Sequence, residues 1–342
     1  MIGTEMKTSR YLLSARLAVV LLIGGYALSA CAQLGGNAGT FTNMGYGARG
    51  ISMGNSGTAL TTGNVQALYN PALGAFEENR NLYVSYSVLG LDRTYNIVSF
   101  TAPIPVYKKN AGDSTHVRVS TIGVSVGLVN TGVSNIDSRD ADGEQIGILS
   151  TYQNFYYGSV SIRFRPEFSV GVMVKFLDAK LYDNIKSGGV GLDVGGVYQI
   201  NDALSVAAVI QNLFAKYTWD STPLYNESGQ VVTDPFPVFF HAGAAYHVPG
   251  SGATVTADIE QSNVSTTITR IGGEYAFNDW FALRAGIDGY DVVNRLSDQV
   301  HPSFGLTVTQ NIGSFIPSFE YAAYFEPVAG GLTHVLSLGF QF

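Results

Sequence analysis

The C-terminal stretch Leu332–Phe342, LTHVLSLGFQF, alternates apolar with small or polar side chains. Leu336, Leu338 and Phe342 fall on one face of an extended chain, whereas Ser337 falls on the other. A period of two predicts a β-strand with one apolar face. In a water-soluble sandwich that face points into the core, but in a membrane barrel it points outward into lipid. The period alone does not distinguish these two arrangements.

The same alternation recurs through most of the chain after residue 80. Phe168–Phe176 is the second clearest case, and shorter runs begin at Leu82–Val88 and Thr94–Pro103. Counting all such runs gives about fourteen strands, an even number as single-chain bacterial barrels require. Charged residues occupy the small or polar face, and in a barrel they would face the lumen: Asp193, Asp258, Glu260, Arg270, Glu274, Arg284, Asp288 and Glu320.

The composition favours the membrane barrel over a soluble fold. Among 342 residues, 13% are charged and 12% are aromatic, and 40 are glycine. The charged fraction is about half of the ~25% that is usual in soluble proteins. No stretch after residue 30 approaches the ~20 apolar residues of a membrane-spanning helix. The formal net charge of −7 argues against a nucleic-acid partner, because no basic surface is available to neutralise phosphates.

The lengths of the connections separate the two arrangements. Very tight turns are expected at Arg165–Glu167, Asn201–Asp202, Pro249–Gly252, Asn278–Asp279 and Gly313–Ser314. They interleave with longer polar stretches that are expected to be loops: Thr131–Ser150, Tyr182–Gly188, Tyr217–Pro235, Tyr290–Gln299 and Glu326–Gly331. Outer-membrane barrels have short periplasmic turns and longer outer loops. We therefore predict an all-β, 14-stranded antiparallel transmembrane barrel in the outer membrane, with Val106–His116 as a small basic excursion on the periplasmic side.

The first 32 residues predict an export signal. Three basic residues precede Leu17–Leu28, an apolar run of signal-peptide length that is too short to span a bilayer. Cleavage after Ala32, at a small-x-small site, is one reading; the residues up to Cys31 also resemble a lipobox that would make Cys31 a lipidated N-terminus. We favour the first because a barrel needs no second anchor. The mature chain then lacks cysteine, and with it disulfides and thiolate sites.

Residues 33–80 are predicted to form a segment inside the barrel, which itself spans residues 81–342. Within that segment Thr42–Phe76, TNMGYGARGISMGNSGTALTTGNVQALYNPALGAF, is crowded with Gly and Ala and nearly free of charge. Side chains this small cannot build a core of their own. We therefore expect the segment to plug or narrow the lumen as a hatch.

Several residues of this segment resemble a known signature. Gly47-Ala48-Arg49, Gly50, Met53-Gly54, Ala59, Ala67 and Asn70-Pro71-Ala72-Leu73 look like GAR…GMG…A…A…NPA, with Ser52 in place of the first Gly of GMG. This signature belongs to the PorV/PorQ type of outer-membrane proteins, a branch of the FadL-like barrels. The chain therefore resembles that type. The resemblance covers the mature chain, including the strand number and the terminal Phe342. It implies a fourteen-stranded barrel with the N-terminal segment folded into the lumen.

The resemblance also implies two alternative functions, neither of them enzymatic. Members of the PorV/PorQ branch are components of the type IX secretion system, which would make the translocon and the C-terminal domains of cargo proteins the partners. This is our first expectation. FadL-like members proper move hydrophobic small molecules through a lateral opening, and passive transport of a hydrophobic ligand is the alternative. In both cases outer-membrane lipids surround the barrel.

Two long stretches offer candidate surfaces for docking a partner. The first, Thr131–Ser150, contains Asp137, Asp140 and Asp142. The second, Tyr217–Pro235, is rich in aromatic residues: Tyr217, Trp219 and Tyr225, with Phe236 just beyond its end. Aromatic side chains are enriched at binding hot spots. The acidic stretch superficially matches a calcium loop, but the position that needs a bidentate acidic ligand is Leu149. A solvated outer loop is therefore the better interpretation, and no metal site is predicted.

Structural roles are expected for the motif residues of the hatch: Gly47, Arg49, Gly50, Met53, Gly54, Asn70, Pro71 and Ala72. A lone buried guanidinium is costly, so Arg49 should pair with Glu274, Asp288 or Glu320, or else reach periplasmic water. Pro71 should end a helix near residues 65–69, and the Asn70 side chain could then bond exposed backbone groups. For Asn70 and Pro71 a role in gating is the alternative.

Nothing in the sequence indicates an active site or a cofactor. Gly45–Gly50 matches GxGxxG, but a dinucleotide fingerprint needs a preceding strand and a following βαβ unit. None of the five histidines lies in HExxH, and Ser56 does not satisfy the GxSxG pattern of a nucleophile elbow. We therefore predict no catalytic residue, no metal and no cofactor.

Overall fold

The computed structural model of the chain describes residues 36–63, 66–109, 116–225, 228–291, 300–326 and 331–342. The predicted export signal, residues 1–32, and the choice between the two cleavage readings at Cys31 lie outside the described residues. Among the residues that are described, no helix is long and apolar enough to cross a bilayer.

Sixteen strands are described, and fourteen of them close into one antiparallel barrel. The first seven are β1 Asn81–Val88, β2 Arg93–Lys109, β3 His116–Arg139, β4 Gln145–Arg165, β5 Phe168–Tyr182, β6 Ile185–Gln199 and β7 Leu204–Leu213. The next two, β8 Lys216–Asp220 and β9 Val231–Pro235, form a separate hairpin. The barrel continues with β10 Phe239–His247, β11 Ala253–Ser262, β12 Thr267–Asn278, β13 Phe281–Asp291, β14 His301–Thr309, β15 Ile316–Glu326 and β16 Gly331–Gln341.

The barrel closes where the first strand meets the last. β1 and β16 pair antiparallel from Asn81 opposite Gln341 to Val88 opposite His334. Closure leaves no strand edge exposed to lipid, which a spanning sheet requires. The predicted fold class, a 14-stranded antiparallel barrel, is confirmed. We call the end that holds Asn81 and Gln341 the Phe342 end, and the opposite end the loop end.

The apolar side chains of the strands point outward and the polar ones point inward, which is the inverse of a soluble sandwich. Along β1, Val84 and Tyr86 are exposed on the outside, whereas Ser85 and Ser87 are buried inside. Along β16, Leu336 and Leu338 are exposed and Ser337 is buried. The charged residues that were predicted to face the lumen are buried or ion-paired there. This pattern is that of an outer-membrane barrel, and the protein is located in that membrane.

The acidic stretch Thr131–Ser150 is mostly strand, so its prediction as a loop is wrong. β3 continues to Arg139 and β4 begins at Gln145, and only the tight turn of residues 140–144 separates them. Both faces of this part of the ribbon lie beyond the barrel wall and are largely exposed. The apolar alternation that identifies a strand is absent there, because neither face needs to be apolar.

Other connections are also tighter than the polar composition suggested. Tyr182–Gly188 is strand except for residues 183–184. Of the predicted excursion Val106–His116, Val106–Lys109 belongs to β2 and His116 to β3, and residues 110–115 lie outside the described residues. The turns predicted at the Phe342 end lie between strands there, from residues 166–167 to 310–315. The stretch from residue 214 to 238 is a true excursion at the loop end, and it contains β8, β9 and the helical turn α3, Thr222–Tyr225.

Residues 40–63 and 66–76, which we call the N-terminal segment, lie inside the barrel. They form the 3₁₀ turn η1, Thr40–Asn43, the helix α1, Gly47–Ser52, the helical turn α2, Gln66–Tyr69, and the 3₁₀ helix η2, Pro71–Phe76. Every residue of α1 and η2 is buried. η2 packs against β3–β6, and α1 packs against β13–β16.

Glycines in the barrel wall allow η2 to approach the strands backbone to backbone. A Cβ on Gly123 would overlap the backbone of Gly74, and one on Gly171 would overlap that of Pro71. Between them the Ser169 hydroxyl donates a hydrogen bond to the carbonyl oxygen of Ala72 at 2.8 Å. The wall at β3–β5 is therefore in direct contact with the N-terminal segment.

We expect Gly123→Ala to destabilise the folded barrel by about 2 kcal/mol, because overpacking a well-packed interface typically costs 1–3 kcal/mol. Gly158→Ala, on the adjacent strand β4, is the matched control, since a Cβ there meets no atom within 4 Å. Its effect should stay within about 0.5 kcal/mol. Urea unfolding in lipid vesicles measures both variants. Equal unfolding midpoints for the two would contradict this packing.

Candidate functional site

A network of charged and amide side chains ties the N-terminal segment to the wall formed by β11–β13. Arg270 bridges two carboxylates, at 2.7 Å to Glu260 and 2.6 Å to Asp288. Asn43 donates to Glu260 at 3.0 Å, and Asn55 donates to Asp288 at 2.7 Å. Both amides belong to the N-terminal segment, so each carboxylate joins the wall to it. The charges are satisfied within the lumen, as buried charges must be.

Arg49 pairs with one of the three carboxylates that its sequence context suggested. Its guanidinium meets Glu274 in a two-point contact, Nε to Oε2 at 3.0 Å and Nη2 to Oε1 at 2.9 Å. Arg284 from β13 donates to the same carboxylate at 2.5 Å. Arg49 also donates to the carbonyl oxygen of Thr62. Only 7% of Arg49 is exposed, so the alternative of a guanidinium in open water does not apply.

Asn70 links two turns of the segment to the wall. Its Oδ1 accepts from the backbone N–H of Ala72 at 3.0 Å, which caps η2, and Pro71 occupies the first helical position. Its Nδ2 donates to the carbonyl oxygens of Thr58 and Gly196 at 3.2 and 3.3 Å. As expected, α2 ends just before Asn70, although the helix that Asn70 caps is the following one.

The glycines of the motif admit neighbouring groups at close range. The Tyr83 ring lies against Gly47, and the backbone of Ile287 lies against Gly54, which has a φ of 60°. The N–H of Ala48, in the first turn of α1, donates to the hydroxyls of Tyr83 and Ser337 at 3.1 and 3.0 Å. The Tyr69 hydroxyl lies close to Gly50, and burial raises the pKa of this hydroxyl above its usual value. Met53 is buried in a cluster with residues of β6, β7 and β10.

A second ion pair holds the start of the segment and was not anticipated. Lys175 lies 2.7 Å from Asp193, with both side chains 1% exposed, and donates to Asn212 at 3.1 Å. Asn212 in turn donates to the Thr42 hydroxyl at 3.0 Å. The sequence did contain a signal for this ion pair. Lys175 lies on the small-residue face of the apolar run Phe168–Phe176, which faces the lumen, and a buried lysine there needs a partner.

A cavity of about 470 Å³ lies in the lumen at the loop end, above the N-terminal segment. Its floor is formed by side chains of the segment, among them Phe41, Met44 and Ile51. Its walls come from β2–β4 and β13–β15: Arg93, Thr131, Gly132, Val133, Thr151, Tyr152, Gln153, Asp288, His301, Ser303 and Tyr324. Apart from Asp288, these wall residues were not identified from the sequence as a site. They come from six different strands, and no motif in the sequence connects them.

The Phe342 end of the lumen is polar by contrast. Two cavities of about 310 and 290 Å³ lie there, and charged residues line them: Glu77, Glu78 and Arg163 in the first, and Arg49, Glu274, Arg284 and Glu320 in the second. Burial raises the pKa of Glu77 to about 7, although Asn81 and Arg49 act in the opposite direction. The N-terminal segment separates these polar cavities from the one at the loop end.

The candidate docking residues divide into two groups. Asp137, Asp140 and Asp142 are exposed on the β3–β4 ribbon. Asp137 pairs with Arg139, and Asp140 accepts from the backbone of its own turn. No group of three metal-binding side chains occurs in the described parts of the chain.

Two aromatic residues of the excursion, Tyr217 and Phe236, are buried rather than exposed. Phe236 is 3% exposed and packs edge-on against Tyr217, which is 2% exposed, so the expectation that Phe236 docks a partner is wrong. Trp219 is partly buried beside Tyr217. Tyr225 lies in α3, and its side chain is outside the described part. Phe236 turns inward and its ring covers Gly39, just before the segment begins.

Solved structures share this fold at low sequence identity. The chain matches the toluene transporter TodX of Pseudomonas putida with a TM-score of 0.57 and 14% identity, covering 87% of this chain and 98% of TodX. The toluene transporter TbuX of Ralstonia pickettii gives 0.55 and 13%, with coverage of 87% and 98%. A FadL homologue of Pseudomonas aeruginosa gives 0.52 and 12%, with coverage of 86% and 98%.

The protein is therefore an outer-membrane barrel of the FadL type in its fold. No protein-family model and no curated protein matches the chain. None of the comparisons points to the PorV/PorQ branch in particular. The neighbours in structure are channels and transporters, not enzymes.

We expect Arg49→Gln to loosen the N-terminal segment without unfolding the barrel. Breaking a buried ion pair costs 3–5 kcal/mol when the partner is left alone, but Glu274 keeps Arg284, so we expect about 2 kcal/mol. Proteinase K should then cut the segment roughly 30-fold faster, because cleavage follows the population of the open form.

Arg139→Gln is the control for this variant, since the Arg139–Asp137 pair is exposed and exposed pairs contribute little. The heat-modifiable mobility of the barrel on gels should be the same for both variants. Equal cleavage rates for Arg49→Gln and the wild type would show that the Glu274 contact does not hold the segment.

Proposed function

We propose that the protein carries small hydrophobic molecules across the outer membrane without an energy source. The observation that carries this proposal is the 470 Å³ cavity at the loop end, where apolar side chains of the N-terminal segment form the floor. A cavity of about 150 Å³ lined by apolar side chains is enough to hold one benzene ring. The space therefore suits a ring-sized molecule with substituents.

The fold gives this proposal further support. TodX and TbuX are described as toluene transporters, and CymD, which matches with a TM-score of 0.58 and 13% identity, as a monoaromatic hydrocarbon channel. Those activities belong to those proteins. Their barrels nevertheless share the strand number and chain course that create a lumen of this width.

In this proposal residues 33–80 act as the hatch of a barrel formed by residues 81–342. The N-terminal segment lies between the apolar cavity and the polar cavities at the Phe342 end, so a molecule must pass it or leave through the wall. The side-chain contacts of Asn43, Arg49 and Asn55 with the β11–β13 wall would hold the hatch closed.

Val133→Trp should lower the initial rate of toluene uptake several-fold, because the indole would occupy the cavity that Val133 lines. Val126→Trp is the matched control: it changes the same residue type on the same strand, but its side chain faces lipid. Uptake of radiolabelled toluene by bacterial cells that lack their own hydrophobic channels measures the rate. Equal rates for the two variants would contradict passage through this cavity.

Type IX secretion is the second candidate, and the motif of residues 47–73 favours it. Its docking surface would be the exposed β3–β4 ribbon, since Tyr217 and Phe236 in the excursion are buried. Deleting the gene should then remove proteins from the culture medium, which a quantitative profile of secreted proteins would detect. We expect an unchanged profile and slower growth on hydrophobic carbon sources. Loss of secreted proteins would favour the secretion role instead.

A further inference from the structure

One corner of the loop-end cavity is polar, although its floor is apolar. Asp288 on β13 and His301 on β14 are directly opposite each other in the sheet, and both line the cavity. Ser303 lies two residues further along β14 on the same inner face, opposite Tyr324 of β15. The N-terminal segment adds Asn55 and Asn43 to this corner.

Ser303 has a hydrogen-bonding group that the described protein groups leave unsatisfied. The residue is 4% exposed, and its Oγ has no hydrogen-bond partner among the described residues. A buried polar atom without a partner is costly, and native proteins contain few of them. Ser303 is one of the residues that line the cavity, so a turn of its side chain about the Cα–Cβ bond would present the hydroxyl to a molecule held there.

The charge of the corner selects against anions. Arg270 is shared between two carboxylates, Glu260 and Asp288, so these three groups carry one net negative charge. The oxygens of Asp288 are already engaged, one by Arg270 and one by Asn55. Arg93, the guanidinium in the cavity lining, lies on β2, and β15, β16 and β1 separate it from β14.

We propose that the cavity binds small uncharged aromatic alcohols of the phenol type, with the hydroxyl on Ser303 and the ring over Phe41, Met44 and Ile51. This inference rests on the proposed function and narrows its substrate class. A hydroxyl both donates and accepts, so it complements Ser303 Oγ whichever way the serine hydroxyl turns. A carboxylate of the same size would instead face the net negative charge.

The test compares p-cresol, toluene and p-toluate, which share one ring and differ in the polar group. Ligand-observed NMR titrations with the barrel in lipid nanodiscs measure binding, and empty nanodiscs serve as the blank. We expect p-cresol to bind roughly fivefold more tightly than toluene, because that is the gain in affinity that one net hydrogen bond gives. We expect p-toluate to bind most weakly.

Ser303→Ala should remove the preference for p-cresol and leave toluene binding unchanged, and Ser303→Thr should retain the preference. Ser87→Ala is the matched control, because Ser87 is also buried on the inner face with an unpartnered Oγ, yet does not line the cavity. That variant should bind all three probes like the wild type.

Several outcomes overturn the inference. Equal affinities for p-cresol and toluene in the wild type, or tighter binding of p-toluate, would do so while the proposed function stands. An equal loss of both neutral ligands in Ser303→Ala would show a structural role for Ser303 instead. Failure of every probe to bind the wild type would count against the proposed function as well.

Discussion

The need to bond every backbone group within a membrane is the constraint on which the structure depends. Hydrocarbon offers no partner for an unpaired N–H or C=O, so a sheet can span it only when the first and last strands pair. β1 and β16 do so along the whole length of β1. Once the barrel is closed, lipid takes the outer face of every strand. The small, polar and charged side chains are then left to the lumen.

The lumen creates a second requirement. The charged side chains that point into it are buried, and each must be paired with a partner of opposite charge or with a hydrogen-bonding group. The N-terminal segment meets it with few charges of its own. Arg49 joins the Glu274–Arg284 pair, while Asn43 and Asn55 complete the coordination of the carboxylates around Arg270. On the opposite wall the fit depends on small residues: Gly74 of the segment and Gly123 of β3 allow the two backbones to touch. The richness of the segment in Gly and Ala follows from this fit.

The sequence predicted those parts of the fold in which lipid imposes a pattern. β5 and β16 have a period of two because one face meets hydrocarbon, and both were identified. The β3–β4 ribbon was mistaken for a loop because it extends into water, where no alternation is required. Loop length was accordingly a weaker guide to the two ends than the alternation was to the barrel.

The site was less predictable, since it depends on tertiary contacts. Arg49 could be assigned a lumen carboxylate because a charge in an apolar segment must be paired. Ser303 has no such signal: it is one of many small inner-face residues, and only the floor of the segment makes it part of a cavity. Phe236 was misassigned because aromatic residues in a polar stretch suit a docking surface and a cover for the segment equally well.

The N-terminal segment packs closely against both walls, but ion-paired groups hold it on one of them, and this difference bears on how it could move. On β3–β5 the contact is close packing of backbone against backbone, joined by the uncharged hydrogen bond from the Ser169 hydroxyl to Ala72. On β11–β13 backbones also touch, at Gly272 and Gly286, but this wall adds charge-assisted hydrogen bonds, which water or a polar ligand can replace group by group. Asn55 and Asp288, which form one of these bonds at 2.7 Å, also line the loop-end cavity. Occupancy of the cavity and attachment of the segment therefore share the same two side chains.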